Sequence, residues 1–301
     1  MKVALLVAHL LAAPVALADN ARQLEHSVES GPEEVALQMS WMAGGHTDQV
    51  VFGLSAEEVA ADTSVKRQVQ LDDLYVALAK AARMSAKGRK NVEVTAKITP
   101  SGVQLGASGP PKAAKAAMEE ARQAMVEARD AWMADNRVYE AHAGVLSYDH
   151  ARIAAERSAA LAPLAAALRE GTSSDREFVE RALRFSQAIP YQRGKKGRDT
   201  GFQHPLALLV RNKGDCDGKA ALFLGIVHAE LPELPLAMVY VPKHALVGVG
   251  LPAQDGDRAF ESGGITYIYA EPVGPGAVPL GHTAPQNTRA AKIGQVRAVP
   301  R

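Results

Sequence analysis

The strongest constraint on the fold comes from one segment, residues 213–219 (Lys-Gly-Asp-Cys-Asp-Gly-Lys), and from the apolar run that follows it, Ala220–Val227. A glycine and an aspartate directly before such a run mark the start of a helix. A helix that is apolar on all sides is a buried one. The sequence therefore predicts a buried helix with Cys216 at or within its first turn.

Cys216 is the only cysteine of the chain, so no internal disulfide can form. A free cysteine is often just a small buried hydrophobe, but two aspartates and two glycines are poor company for an inert core thiol. The positive end of a helix helps to hold a thiolate, whereas the carboxylates of Asp215 and Asp217 raise the pKa of the thiol. The pattern favours a functional thiol with a cationic partner.

A histidine is the usual partner of a reactive thiol, and the chain has nine histidines. His228 lies on the same predicted helix as Cys216, but twelve residues along a helix span about 18 Å, which is out of reach. His244 lies in the valine-rich segment 238–249, which is typical of a strand. We therefore take His244 as the candidate base.

A second predicted strand, residues 265–271, supplies a carboxylate for this histidine. Alternation along a strand places Tyr267, Tyr269 and Glu271 on one face. An antiparallel pairing centred between residues 257 and 258 sets His244 opposite Glu271. A smaller hairpin between residues 258 and 265, turning at Gly263-Gly264, is the alternative for the connection.

Three motifs together resemble the transglutaminase-like superfamily. They are Gly-Asp-Cys-Asp-Gly-Lys-Ala at 214–220, Pro-Lys-His-Ala-Leu-Val-Gly-Val at 242–249 and Tyr-Ile-Tyr-Ala-Glu-Pro-Val-Gly at 267–274. Upstream, residues 185–191 (Phe-Ser-Gln-Ala-Ile-Pro-Tyr) resemble the helix and turn that precede the cysteine in bacterial members. The resemblance covers residues 148–281.

The resemblance implies an α+β fold with a papain-like core, in which the helix bearing the cysteine packs on an antiparallel sheet. By resemblance, Cys216 attacks an amide carbonyl, His244 transfers protons and Glu271 orients His244. The sequence departs from the family at the third residue, which is Asp in many relatives, and it has no tryptophan shortly before the cysteine. We expect the backbone N–H of Cys216 and the side chain of Gln187 or Tyr191 to stabilise the oxyanion.

The first 18 residues, MKVALLVAHLLAAPVALA, have the pattern of a secretory signal peptide. We expect a mature chain that begins at Asp19, spans no membrane and is periplasmic or secreted. The net charge of +1 gives no electrostatic reason to expect nucleic acid. We expect no cofactor and no metal, because one cysteine stands without a close cluster of ligands.

Residues 19–141 form an N-terminal α+β and helical region that matches no family we can name. It contains a predicted hairpin at 33–54, a helix at 71–84 and short strands at 91–98 and after the turn Ser101-Gly102. A long helix follows Pro110-Pro111. On one face of this helix, six residues form a narrow stripe: Ala114, Met118, Ala121, Met125, Ala128 and Trp132. The stripe either packs on the protein's own core or receives a partner helix.

Residues 142–282 form the predicted transglutaminase-like domain. Its helix at 148–170 is expected to break at Pro163, and a helix capped by Ser174 is expected over 175–188. The basic loop 193–198 is expected to be solvated surface, with binding of an acidic ligand as the alternative. The polar tail, residues 283–301, is expected to be loosely attached or disordered.

These features favour an exported enzyme that acts on peptide or protein amide bonds, as a peptidase, an amidase or a transglutaminase-type transferase, through a thioester on Cys216. A non-catalytic binding or scaffold protein with the same fold is the alternative. A module that binds metal through Cys216, Asp217 and histidines is disfavoured by the missing ligand cluster.

Overall fold

The computed structural model describes residues 20–142, 144–194, 201–274, 276–291 and 294–301. Within them the chain is a mixed α+β protein with eight helices and four antiparallel sheets. The predicted fold class, α+β, is therefore confirmed at this level. The proposed signal peptide and most of the basic loop lie outside the described residues.

The N-terminal part begins with a three-stranded meander of β1 (Arg22–Ser30), β2 (Glu34–Ala43) and β3 (His46–Ser55). The predicted hairpin is confirmed, with Gly44 and Gly45 at positive φ as a two-residue turn requires. Strand β1 was not expected. Alternate residues of β2 are buried, and the Trp41 ring meets the Phe185 ring edge-on at 5.4 Å.

The following elements are α1 (Ala56–Ser64), α2 (Leu71–Ser85), β4 (Glu93–Thr99), β5 (Gly102–Ser108) and α3 (Pro111–Asp135). Strands β4 and β5 form a hairpin, and α3 packs on α2. Ala121 and Met125 of the α3 stripe share a small core with Ala82 of α2. The centre of the stripe is thus covered by the chain itself, as in the first of the two alternatives.

Two short strands, β6 (Val138–His142) and β7 (Val145–Tyr148), lead into the helices α4 (His150–Arg169) and α5 (Asp175–Ala188). The expected break at Pro163 is wrong, since α4 runs through it. Proline removes one backbone hydrogen bond, and the fully buried neighbours Leu161 and Leu164 hold the helix together across that gap. Ser174 caps α5 as predicted, accepting a hydrogen bond from the Glu177 N–H at 3.2 Å.

Helices α6 (Pro205–Arg211) and α7 (Cys216–Glu230) follow. The predicted buried helix is α7, which packs on α4, α5, α6 and one face of a five-stranded sheet. The strands of that sheet stand in the order β10-β11-β9-β8-β12. They are β8 (Leu236–Val241), β9 (His244–Val249), β10 (Ala259–Ser262), β11 (Ile265–Ala270) and β12 (Gln295–Ala298).

The N-terminal meander belongs to the same core as the helices around α7. Its buried residues, such as Leu37 and Trp41, form one cluster with Phe178, Phe185 and Phe223. The carboxylate of Asp62 on α1 also accepts a hydrogen bond from the Arg157 Nε of α4 at 2.6 Å. Residues 20–64 are therefore packed into the predicted catalytic domain rather than set apart from it.

The C-terminal tail differs most from expectation, because it is not loosely attached. It contains α8 (Thr288–Ala291) and β12, which adds an edge strand to β8. Arg297 donates to the carboxylate of Asp149 at 2.8 Å, and Val299 is buried. A polar edge strand needs only one apolar face, so the composition of the tail concealed its place in the sheet. None of the helices in the described part of the chain is long and apolar enough to cross a membrane.

Candidate active site

Cys216 is the first residue of α7, as the sequence predicted. Asp215 caps this helix by accepting a hydrogen bond from the Gly218 N–H at 3.0 Å. Gly214 is required by close packing, because a Cβ there would stand 2.3 Å from a methyl carbon of Leu208. These local contacts fix the turn that presents the thiol, which is half-buried.

The electrostatic environment of Cys216 disfavours the thiolate. Burial first, and then the carboxylates of Asp217 and Asp215, raise the pKa of the thiol to about 12. The Sγ atom donates to Asp217 Oδ1 at 3.6 Å, and no hydrogen bond joins it to His244, both residues being described. The resting thiol is therefore protonated at neutral pH, and a preformed ion pair with His244 is absent from this state.

His244 is the first residue of β9 and follows a two-residue turn between Val241 and His244. Pro242 and Lys243, which has a φ of 63°, fit the central positions of a type II turn. The ring is mostly buried, and its Nε2 lies 3.0 Å from Glu271 Oε1. A carboxylate can only accept, so Nε2 carries the proton and Nδ1 is the free basic nitrogen of the neutral ring.

Glu271 directly follows β11 and is only 4% exposed. Besides His244, its carboxylate accepts hydrogen bonds from Asn287 Nδ2 at 2.6 Å and from the Ala284 N–H at 2.7 Å. A buried carboxylate held by three donors has a fixed orientation. The sequence analysis missed both Asn287 and Ala284, because they lie in the tail that looked loosely attached.

The pairing of the two strands differs from the predicted register by two residues. Ala270 pairs with Val247, whereas a centre between residues 257 and 258 would pair it with Ala245. A shift of two residues leaves every side chain on its predicted face, so His244 and Glu271 still meet, as diagonal neighbours. The smaller hairpin at Gly263-Gly264 forms and shortens the connection.

The two residues proposed as oxyanion donors have different surroundings. The amide of Gln187 is buried and donates to the carbonyl oxygens of Glu271 at 3.0 Å and of Val278 at 2.8 Å. Both of its N–H bonds are thus used, so Gln187 is unsuited to the predicted role and instead ties α5 to the segment after β11.

Tyr191 is 40% exposed and lies beside the thiol. Its backbone forms a parallel bridge with Gly214, in which the Gln192 N–H donates to the Gly214 carbonyl at 2.8 Å. Burial first, and then the negative charge of a Cys216 thiolate, raise the pKa of Tyr191, so its hydroxyl keeps its proton. Tyr191 therefore remains a candidate donor.

A cavity of about 430 Å³ opens next to the start of α7. Asp217, whose carboxylate contacts the thiol, is part of its wall, together with Asp215, His150 and Phe202. His150 is 3% exposed, and burial lowers its pKa to about 4, so the ring is neutral at pH 7. Its Nδ1 lies 2.9 Å from the Tyr240 hydroxyl. The two residues are far apart in the sequence, and no local motif predicts their contact.

Among the described residues, no group of three or more His, Cys, Asp and Glu side chains has an arrangement that could hold a metal ion. Comparison of the chain with protein-family models, curated proteins and solved structures gives no match. Membership of the transglutaminase-like superfamily thus stays a prediction from the motifs around Cys216, His244 and Glu271.

Proposed function

We propose that this chain is a cysteine-dependent acyl-transfer enzyme of the transglutaminase-like superfamily, with a papain-like core that acts on amide bonds. Cys216 is the nucleophile, His244 the base and Glu271 the residue that orients His244. One observation carries the proposal: His244 Nε2 is bound to a buried Glu271 that two further donors hold in place. This pair lies on the sheet against which the helix bearing Cys216 packs.

The tautomer of His244 suits the role of a general base. Because Nε2–H donates to Glu271, the lone pair of Nδ1 is free to take a proton from the thiol. The negative charge of Glu271 then stabilises the imidazolium that forms. An orienting carboxylate that is itself fixed costs little reorganisation during the reaction.

The reaction begins from a neutral thiol, since the pKa of Cys216 is about 12. When the substrate carbonyl approaches, the thiol proton moves to His244 Nδ1 and Sγ bonds to the carbonyl carbon, giving a tetrahedral oxyanion. His244 returns that proton to the amide nitrogen, the C–N bond breaks and the amine leaves. Water attacks the remaining thioester with loss of a proton to His244, the C–S bond breaks, and His244 returns the proton to Cys216 Sγ as the acid leaves.

Two groups are the donors that we expect for the oxyanion. The N–H of Cys216 has no partner within the helix, because the first residues of a helix lack one. The Tyr191 hydroxyl supplies the second hydrogen bond from beside the thiol. Together they replace the tryptophan donor that the family pattern would place before the cysteine.

Peptides and bacterial wall peptides are the substrate classes we favour, given the signal peptide proposed for residues 1–18 and hence a periplasmic or secreted location. Hydrolysis is favoured over transfer to an amine, since no feature of the sequence marks a pocket that admits an amine and excludes water.

A second candidate function is that of a non-catalytic binding protein with the same fold. The raised pKa of Cys216 and the absence of a hydrogen bond from Sγ to His244 favour this reading. The two candidates differ in one property. In an enzyme the reactivity of the thiol depends on His244, and in a binding protein it does not.

The test is the rate of Cys216 alkylation by iodoacetamide, followed by intact-protein mass spectrometry in the native protein and in His244→Ala. The enzyme proposal predicts that at pH 7 the native thiol reacts at least tenfold faster than the thiol of His244→Ala. This is a modest share of the ~100-fold or more that general bases contribute. His46→Ala, a change at an exposed histidine in the β2–β3 hairpin, is the matched control. Equal rates in all three proteins would favour the binding protein.

A further inference from the structure

Lys219 is a fully buried lysine on α7, with 0% of its surface exposed. Its Nζ donates to the carbonyl oxygens of Ile189 at 2.7 Å and Gln187 at 3.2 Å, at the C-terminal end of α5. The last carbonyls of a helix have no partner within it, so the Lys219 amine, which has N–H donors in both its charged and neutral forms, satisfies two of them. Among the described residues no carboxylate forms an ion pair with this lysine, and burial lowers the pKa of its amine from 10.5 to about 7.

The side chain of Lys219 lies directly against the turn that presents the thiol. Lys219 follows Cys216 by three residues, which is about one helical turn. A Cβ added to Gly214 would stand 3.3 Å from Lys219 Cγ, so the aliphatic stem packs against the residue that precedes the Asp215 cap. The stem therefore lies against the backbone that leads into the first turn of α7.

The other end of the contact leads to the carboxylate of the site. Gln187 receives Lys219 through its backbone carbonyl and donates its side-chain amide to the Glu271 carbonyl at 3.0 Å. Gly274 packs against the backbone carbonyl of Gln187, because a Cβ at Gly274 would stand 2.0 Å from Gln187 O. Gln187 thus contacts both Lys219 and the segment after β11 that contains Glu271.

We propose that Lys219 is a positioning residue, which sets the distance between Cys216 and the His244–Glu271 pair by clamping α7 to Gln187. It touches none of the reacting atoms and acts only through Gln187 and the first turn of α7. The inference rests on the function proposed above for Cys216, His244 and Glu271. An apolar side chain would fill the same space, but would leave the carbonyls at the end of α5 unpaired.

Lys219→Met, which keeps the length of the side chain and removes the donors, tests this proposal. The first readout is the backbone amide resonance of Ala284, which reports the position of Glu271 because this N–H donates to its carboxylate at 2.7 Å. We expect the resonance to move most of the way to its position in Glu271→Ala. Val227→Ala, a core truncation on the same helix, is the control for lost stability and leaves the resonance in place.

The second readout is a ratio of two rates of Cys216 alkylation by iodoacetamide. The rate in a protein that has His244 is divided by the rate in the same protein with His244→Ala. We expect Lys219→Met to reduce this ratio about tenfold, which corresponds to ~1.4 kcal/mol, whereas Val227→Ala keeps it. Gln187→Met should reduce it similarly, and the double variant should add little, because both changes break one path. Because Gln187→Met keeps the backbone carbonyl that accepts from Lys219, it tests only the step from Gln187 to the Glu271 carbonyl. If Lys219→Met does not fold, Lys219→Gln, a shorter side chain that keeps a polar end, is judged by the same two readouts.

A native Ala284 resonance and a native rate ratio in Lys219→Met, or equal losses in Val227→Ala, would overturn the inference. The outcome for the proposed function is read separately, from the native protein. If the native thiol shows no dependence on His244 while the Ala284 resonance still moves in Lys219→Met, the positioning role stands and the proposed reaction fails.

Discussion

Asn287 Nδ2 lies 2.6 Å from Glu271 Oε1, the same oxygen that accepts the hydrogen bond from His244. Together with the Ala284 N–H on the other oxygen, it fixes a carboxylate that has almost no contact with water. The C-terminal tail therefore completes the candidate site, although it contributes none of the proposed reacting groups.

Asn287→Ala should loosen Glu271 and with it the His244 ring. A lost hydrogen bond to a buried charge costs about 1.5–3 kcal/mol, so we expect the His244-dependent alkylation rate of Cys216 to fall about tenfold or more. Asn136→Ala, which makes the same substitution at an exposed asparagine far from the site at the end of α3, is the control and should leave the rate unchanged. A native rate in Asn287→Ala would show that Glu271 is held without this contact.

Glu271→Gln should be poorly tolerated despite its similar shape. The three polar neighbours of the carboxylate are donors, so one of them must face the amide N–H₂ of glutamine. We expect a loss of roughly 1–3 kcal/mol in the free energy of unfolding and loss of the His244-dependent reactivity. Urea denaturation and alkylation rates measure the two effects. A variant as stable and reactive as the native protein would contradict the orienting role.

Asp217→Asn should make the thiol more acidic. After burial, the Asp217 carboxylate is the largest cause that raises the pKa of Cys216, and its removal lowers that pKa. A shift of one unit gives about tenfold more thiolate at pH 8, and alkylation should accelerate accordingly. Asp130→Asn, on the exposed side of α3, controls for the change in net charge. No acceleration relative to that control would show that Asp217 does not govern the thiol.

Lys219 should make the protein more stable as the pH rises from 7 to 9. Burial lowers its pKa from 10.5 to about 7, so the unfolded chain binds more protons than the folded one in this range. The free energy of unfolding then increases with pH, by about 1.4 kcal/mol per pH unit at most. Urea denaturation of Lys219→Met should lack this increase. An equal slope in both proteins would mean that Lys219 is not buried as described.

His150 should also make the protein more stable as the pH rises, but in a lower pH range than Lys219. Its pKa falls from 6.5 to about 4 on burial, so the unfolded chain binds more protons between these values and stability is lost as the pH falls from 6.5 to 4. Between pH 6.5 and pH 4 we expect the free energy of unfolding, measured by urea denaturation, to fall by roughly 2 kcal/mol less in His150→Phe than in the native protein. Equal losses would show that His150 is already charged in the folded state.

The sequence predicted those parts of the site that depend on local signals. Asp215 before an apolar run placed Cys216 at a helix start, and alternation along β11 put Glu271 on the face of His244. The register was wrong by two residues, because a hairpin with its own turn shortened the connection. Even so, an error of two residues preserves the face, which is why the pair was found.

The missed features depend on contacts between distant segments. Asn287 reaches Glu271 from the segment that leads into β12, and nothing in a polar tail of small residues predicts this contact or the pairing of β12 with β8. His150 and Tyr240 are 90 residues apart and meet only when α4 packs against the sheet. The fully buried state of Lys219 likewise results from the end of α5, which local pattern does not reveal.

The most direct test of the central claim is capture of a thioester on Cys216. The native protein, His244→Ala and Cys216→Ala are each mixed with p-nitrophenyl acetate, an activated acyl donor, and digested for mass spectrometry. We predict acetylation of Cys216 that hydroxylamine removes, at a rate at least tenfold lower in His244→Ala, a conservative part of the ~100-fold that a general base contributes. No acetyl group on Cys216 together with no more p-nitrophenol release than in Cys216→Ala, or equal acetylation without His244, would contradict the account.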